Sequence, residues 1–319
     1  MKPDLFLDDL QRKPEVLAAL ADGLRTGNPW SFLTRRPERV VLLGMGSSTY
    51  AAGVAAARLR ARGLVAVAEL ASSDLLPAWG AGTLVIAISA SGGSRETLDA
   101  LGRVHPDASV VALTNVPGSP VTAAADHTVL MEAEAETGGV ACRSYQHTLA
   151  LLLALEAHLL GAGPDVLAGT LARTVEASAH LLATESEWRP EVARLLDGPT
   201  GCHVAAPARR LGSAQQSALM LREGPRRSAI ACESGDWAHV DVYLTKNTDY
   251  RLLSFAGSAW DDGILEWTLP RETTIVSIGG ELEGAAHTVR YPHDTDDDVR
   301  LLSEVLVAEL VAARLWLAG

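Results

Sequence analysis

Hydrophobic residues along this chain fall into two alternating kinds of segment. Short, nearly continuous apolar runs occur at Val40 to Leu43, in VAVAEL from Val65, in LVIAIS from Leu84, in SVVALTN from Ser109 and in HTVLMEA from His127. Between them, apolar positions recur at helical spacing: STYAAGVAAARLRARG closes at Gly63, RETLDALGRV starts at Arg95, and SYQHTLALLLALEAHLLG starts at Ser144. Ahead of the first run, residues 5–25 read as one amphipathic helix with Leu7, Leu10, Val16, Leu17 and Leu20 inward. Apolar runs that do not alternate with polar residues predict strands buried on both faces. Strands that alternate with helices then predict a parallel sheet covered on both sides.

The pattern starts again later in the chain. Residues 164–200 read as a helical connector of mixed charge, and a second series opens at GCHVAAP from Gly201. LVIAISASGGSRETLDAL near Leu84 is echoed by YRLLSFAGSAWDDGILEW near Tyr250, and AADHTVLMEA near Ala124 by GAAHTVRYPH near Gly284. Two echoes in the same order predict a duplicated α/β domain. The expected organisation is an N-terminal helical segment (1–37), a first doubly wound domain (38–163), the connector (164–200) and a second such domain (201–319). The second copy has lost the serine-rich corner of the first, since Ser254-Phe255-Ala256-Gly257 is bulkier and poorer in hydroxyls.

Composition narrows the function classes. A length of 319 residues suits two domains of about 150 each. The net charge of −12, from 27 basic and 39 acidic residues, argues against nucleic acid, which needs clustered Lys and Arg. The three cysteines, Cys142, Cys202 and Cys232, lie far apart and imply neither a disulfide framework nor a metal site. The charged start, MKPDLFLDDL, has no signal-peptide core, and no apolar run reaches the ~18 residues of a membrane span. A cytoplasmic protein without a membrane partner is the expectation.

Candidate chemistry sits where strands run into helices. At SASGGSRETL the third run ends in Ser89, Ser91 and Ser94 with Gly92 between them; at GMGSSTY the first run ends in Gly46, Ser47 and Ser48. A helix start offers free amides and partial positive charge, serine adds hydroxyl donors, and glycine lets the backbone approach an anion. Ser and Gly are also ordinary turn and cap residues, and one corner alone would be read that way. Two corners at the carboxyl edge of one sheet, where open α/β sheets bind ligands, favour an anion. GMGSST lacks G-x-G-x-x-G and there is no GKS or GKT, so a phosphate on a small molecule is favoured over a dinucleotide or a nucleoside triphosphate.

These motifs, with TNVPGSP from Thr114, ETGGVACRSY from Glu136 and ALMLREG from Ala218, resemble the sugar isomerase (SIS) domain family. More narrowly, they resemble the tandem-SIS isomerase domain of glucosamine-6-phosphate synthase and its stand-alone relatives, the hexosamine-phosphate deaminase/isomerases and fructosamine-type deglycases. The resemblance implies that Ser48, Ser89, Ser91 and Ser94, with Ser47 beside them, hold a sugar phosphate. It also implies that Gly46 and Gly92 allow close approach and that Ala90 replaces a usual Gln. The Val140 backbone would contact the sugar, and Glu223 would move a proton between C1 and C2. His239 would open the sugar ring, reaching its site from the neighbouring subunit of a homodimer.

The departures are specific. Met220 stands where the synthases carry a lysine, and the usual K-H-G-P around the histidine reads Ala238-His239-Val240-Asp241. The synthases' C-terminal tail and glutaminase domain, and with them glutamine-dependent amination, are not expected. Read without the resemblance, Glu223 is a solvated helix-end carboxylate among Arg222, Arg226 and Arg227, and His239 is a loop histidine. Likewise His147 and Tyr145 read as structural, Cys142 as a small buried residue, and HDTDDDVR from His293 as a solvated helix start. A carboxylate brought toward neutrality by burial can carry the isomerisation proton, and ring opening suits a side chain that titrates as histidine does. The expected function is therefore a phosphosugar isomerase or deaminase that needs no cofactor and no metal. The alternatives are a non-catalytic phosphosugar sensor and a specialised amino-sugar biosynthetic enzyme on the same scaffold.

Overall fold

A computed structural model describes all residues, 1–319. Ten strands run in chain order: β1 (Arg39–Gly44), β2 (Val65–Leu70), β3 (Thr83–Ile88), β4 (Ser109–Thr114), β5 (His127–Leu130), β6 (Cys202–Ala206), β7 (Ala229–Glu233), β8 (Arg251–Phe255), β9 (Thr274–Ile278) and β10 (His287–Val289). The helices are α1 (Pro3–Gln11), α2 (Lys13–Thr26), α3 (Ser47–Ala61), α4 (Arg95–Leu101), α5 (Pro120–Ala123), α6 (Arg143–Leu159), α7 (Ala168–Ala183), α8 (Glu185–Leu196), α9 (Leu211–Glu223), α10 (Trp237–Val240), α11 (Asp261–Thr268), α12 (Asp297–Ser303) and α13 (Val305–Ala318). No helix is long and apolar enough to cross a membrane.

The chain divides into two compact units. One holds residues 15–136 and 141–171; the other holds 1–14, 137–140 and 172–319. Each contains one five-stranded sheet, with orders β2-β1-β3-β4-β5 and β10-β9-β8-β6-β7. Every pairing is parallel. Read from the other edge, the second sheet has the order of the first: two strands, a switch in the order of strand addition, then three more.

In the unit of residues 15–136 and 141–171, Val40 to Leu43 and Leu84 to Ile88 are buried throughout, as strands covered on both faces must be. Val41, Leu43, Val85 and Ala87 pack with Ala100 and Leu101 of α4. Helices α3 and α6 pack together, and α3 covers β1 and β2. In the other unit, Ala205, Leu252 and Ile275 pack with Trp237, Tyr250 and Ile264, while α9 packs on β6, β7 and α13.

Two expectations need correction. The single helix over 5–25 is two, broken at Arg12, with α2 restarting one residue before Pro14. Proline lacks an amide proton and its ring clashes inside a helix, but it is tolerated in a first turn. The acidic segment from Asp294 is not simply solvated. Asp294 is buried and paired with Arg290, Asp296 caps α12 and binds Arg173, and Asp297 binds Arg209. His147 and Arg143 of α6 are anchors for the segment after β5: His147 Nδ1 bonds Met131 O, and the Arg143 guanidinium donates to the carbonyls of Ala133 and Ala135.

Candidate functional site

The first candidate site lies at the carboxyl ends of β1 and β3, which are neighbours in the sheet with Leu43 opposite Ala87. Strand β1 pairs with β2 on one side and β3 on the other, so the gap between β1 and β3 is where the order of strand addition reverses. Ligands of open α/β sheets bind in that crevice. The structure brings Gly46, Ser47 and Ser48, at the start of α3, together with Ser89 to Ser94, which joins β3 to α4.

Local sequence shapes both turns. Gly46 has φ +52° and Gly92 has φ +68°, the left-handed region that favours glycine. At Gly92 a Cβ would also run into the Ser119 side chain. Gly44 serves close packing: a Cβ there would lie 2.7 Å from that of Ser48. Ser119 belongs to TNVPGSP and so backs the β3–α4 turn directly.

The donors at this corner are largely uncommitted. The Ser89 amide bonds Leu113 O and the Gly92 amide bonds Ser89 O, but the amides of Ala90 and Ser91 donate to no protein group. The hydroxyls of Ser47, Ser48 and Ser89 have no protein partner, and Ser91 Oγ only accepts a 3.4 Å bond from Gly93 N. Thr49 Oγ1 and Ser119 Oγ are buried without any hydrogen-bond partner, an arrangement that costs free energy unless something supplies one. Neither residue was singled out from sequence, although both lie inside the quoted motifs. Ser94 differs from its neighbours. It caps α4 by accepting from Thr97 N at 3.3 Å, and it donates to Glu96 Oε2 at 3.0 Å.

The other expected residues, Val140, Glu223 and His239, belong to the other unit. Val140 is buried at the end of the segment 137–140. That segment is held from α1 and its cap: Lys2 N donates to Gly138 O at 3.0 Å, and Gly138 N donates to Asp9 Oδ2 at 2.7 Å. Glu223 ends α9 and is half-buried; burial pushes its carboxyl above the usual glutamate range, with Arg226 opposing. The Trp316 ring packs against Gly224 beside it. Met220, one turn earlier, is core, 1% exposed. His239 is exposed on the four-residue helix α10.

The SIS domain model matches residues 33–157, the stretch that holds β1 to β5 and both serine corners. The chain is 29% identical over 268 residues to the glutamine–fructose-6-phosphate aminotransferase [isomerizing] of Aeropyrum pernix, a match covering 76% of this chain and 42% of that protein. The chain thus spans less than half the length of that curated relative. Among solved structures, the C-terminal domain of glucosamine-fructose-6-phosphate aminotransferase from Francisella tularensis superposes with a TM-score of 0.82 at 15% identity, covering 98% of this chain and 96% of that one. Tagatose-6-phosphate ketose/aldose isomerase from Escherichia coli gives 0.78 at 15% identity, covering 98% and 92%. At these identities the likeness is one of fold, and it extends beyond the SIS domain to nearly the whole chain.

Proposed function

We propose that this protein isomerises or deaminates a phosphorylated keto or amino sugar, with the phosphate held at the SIS-domain corner. The observation that carries the reading is the concentration of unspent donors there: the amides of Ala90 and Ser91, the hydroxyls of Ser47, Ser48 and Ser89, and the buried orphan hydroxyls of Thr49 and Ser119. Phosphate oxygens are the acceptors such a set lacks, and charge-assisted bonds to them are the strong kind. The family match and the aminotransferase relative support a sugar phosphate over other anions. The common strand order of the two sheets supports reading the second as a drifted copy of the first.

Glu223 is the proton carrier in this reading. It takes the proton from C2 of the opened sugar and returns it to C1 as the carbonyl moves. From a 2-amino sugar phosphate the same opened intermediate gives the ketose, with water entering and ammonia leaving. The upward pKa of Glu223 suits a base working near neutrality. His239 opens the ring, and Val140 contacts the sugar through its backbone. The protein acts as a homodimer that exchanges His239 across its interface; the exposed Val240, Tyr243 and Leu244 beside that histidine support such a contact.

Met220 favours a second reading, a phosphosugar sensor, because a buried thioether can neither take nor give a proton. Incubation with glucosamine 6-phosphate, fructose 6-phosphate and fructosamine 6-phosphates decides between the two. Release of ammonia or interconversion of aldose and ketose is the expected result. Binding without turnover of any of them sinks the enzyme and leaves the sensor.

A further inference from the structure

Four residues are too few for a helix to be stable by itself, yet α10 carries His239. The explanation lies two residues to either side. Trp237 and Asp241 are four apart and share one face of a helical turn, while a residue midway between them lies on the opposite face. Trp237 is fully buried, Asp241 is buried and His239 is exposed.

The two inward residues converge on a third. Trp237 Nε1 donates to Tyr250 Oη at 2.7 Å, and Tyr250 Oη donates to Asp241 Oδ2 at 3.1 Å. Hydrogen bonds in such a chain polarise one another. Tyr250, just before β8, stacks on the His203 ring of β6 at 4.2 Å between centroids and 23° between planes. The loop leading into α10 is tied separately, since Glu233 Oε2 accepts from Gly235 N at 2.7 Å and Asp236 N at 2.9 Å. Asp241 is therefore not a solvated loop acid. Its carboxylate joins the end of α10 to the sheet.

We propose that Trp237, Tyr250 and Asp241 form a clamp that positions His239 for its work on the sugar ring, an inference that rests on the role given to His239 above. None of the three touches substrate in this scheme. They fix the backbone of residues 236–241, where the amides of His239 and Val240 donate to Asp236 O at 2.8 and 3.2 Å and that of Asp241 donates to Trp237 O at 3.0 Å.

The test compares Tyr250→Phe, Asp241→Ala and Asp241→Asn in the full chain. Phenylalanine keeps the stacking on His203 and removes only the hydroxyl. Amide exchange in residues 236–241 is expected to speed up about tenfold in Tyr250→Phe and Asp241→Ala, the scale of one net hydrogen bond, with β8 and β9 unchanged. Asp241→Asn keeps an acceptor and should retain wild-type protection. In turnover, Tyr250→Phe should lower kcat by about tenfold and leave KM within about twofold, because positioning acts on the chemical step. Unchanged exchange in Tyr250→Phe overturns the clamp, whether or not a substrate is found. Faster exchange with unchanged kcat, in a protein that His239→Ala inactivates, overturns the positioning role. Should His239→Ala leave turnover intact, the role of His239 fails instead, and exchange still judges the clamp.

Discussion

The carboxyl ends of β3 and β8 show the same backbone put to two uses. Each strand holds the same place in its sheet. The first residue after each donates to the next strand: Ser89 N to Leu113 O at 3.0 Å, and Ala256 N to Ile278 O at 3.1 Å. Then they diverge. After β3 the next two amides, of Ala90 and Ser91, donate to nothing in the protein. After β8 the corresponding amides, of Gly257 and Ser258, both donate to Asp261 Oδ2, at 2.7 and 3.0 Å. Around them Arg209 Nη2 donates to Gly257 O and Arg210 Nη2 to Ala256 O, with Asp297 and Glu304 as their counter-ions. The second corner supplies its own anion and the first supplies none. The carboxylate that fills the second corner stands four residues after Gly257, where the first corner has Ser94 after Ala90.

The comparison sharpens most if Glu223 moves the proton, as proposed above. Glu223→Gln should then lower turnover by about 10²–10⁴-fold, the range for a general base, while binding of the phosphosugar persists. Activity of the wild type should fall as pH drops through a Glu223 pKa above the usual glutamate value. The sign for stability is opposite. A carboxyl raised by folding contributes stability at low pH that is lost as pH rises through its folded pKa. Removing that charge leaves the variant at least as stable as wild type near neutrality, which thermal melts at two pH values would check. Comparable in size, Ser89→Ala with Ser91→Ala should weaken binding by about 10²–10⁴-fold, from two hydrogen bonds to a charged group worth about 1.5–3 kcal/mol each. Calorimetry that finds no weakening removes the first corner from the site.

Much of this was legible beforehand, and what escaped has a physical cause. The alternating runs announced both sheets because strands buried on both faces must be apolar throughout. The serine corners were visible because donors at a helix start need small polar residues. The filling of the second corner was not visible, since Asp261 in SAWDDGIL reads equally well as an acid favoured by a helix start. Its choice of the amides of Gly257 and Ser258 depends on the turn's shape. The buried pairs Lys13–Glu309 and Arg210–Glu304 escaped for a similar reason. Their members lie 296 and 94 residues apart, and periodicity reports one segment at a time. Asp241 escaped because a buried acceptor and a solvated loop acid look the same until Tyr250 is brought beside it.

Emptying the second corner tests whether Asp261 alone separates it from the first. Asp261→Ala removes the acceptor of the Gly257 and Ser258 amides, which water can partly replace, and should cost about 0.5–1.5 kcal/mol in denaturant unfolding. Asp261→Asn keeps an acceptor and should cost little. Burial holds the Asp261 carboxyl above its ordinary range against the pull of the two amides and Arg210. The stability tied to that carboxyl is therefore full at low pH and is lost as pH rises, and the asparagine variant should lose this slope. Inorganic phosphate that protects Asp261→Ala from unfolding more than it protects wild type would mean the second corner becomes an anion site once its own carboxylate is gone. Equal protection would mean the two corners differ in more than that one acid.

The smallest effect is expected at the mouth of the first corner. Glu96 is fully exposed and accepts the Ser94 hydroxyl, and its pKa is lowered first by its own backbone amide and then by Ser94. It is to the first corner what Asp261 is to the second, a carboxylate on the following helix, but it reaches the cap residue and not the free amides. A solvated charge there is screened over about a Debye length, so its repulsion of an incoming phosphate is modest. Glu96→Gln should tighten phosphosugar binding by about two- to fivefold at low ionic strength, and the gain should vanish in high salt. If it instead weakens binding, the Ser94–Glu96 bond organises the corner, and Glu96 helps the first turn stay open as Asp261 helps the second stay filled.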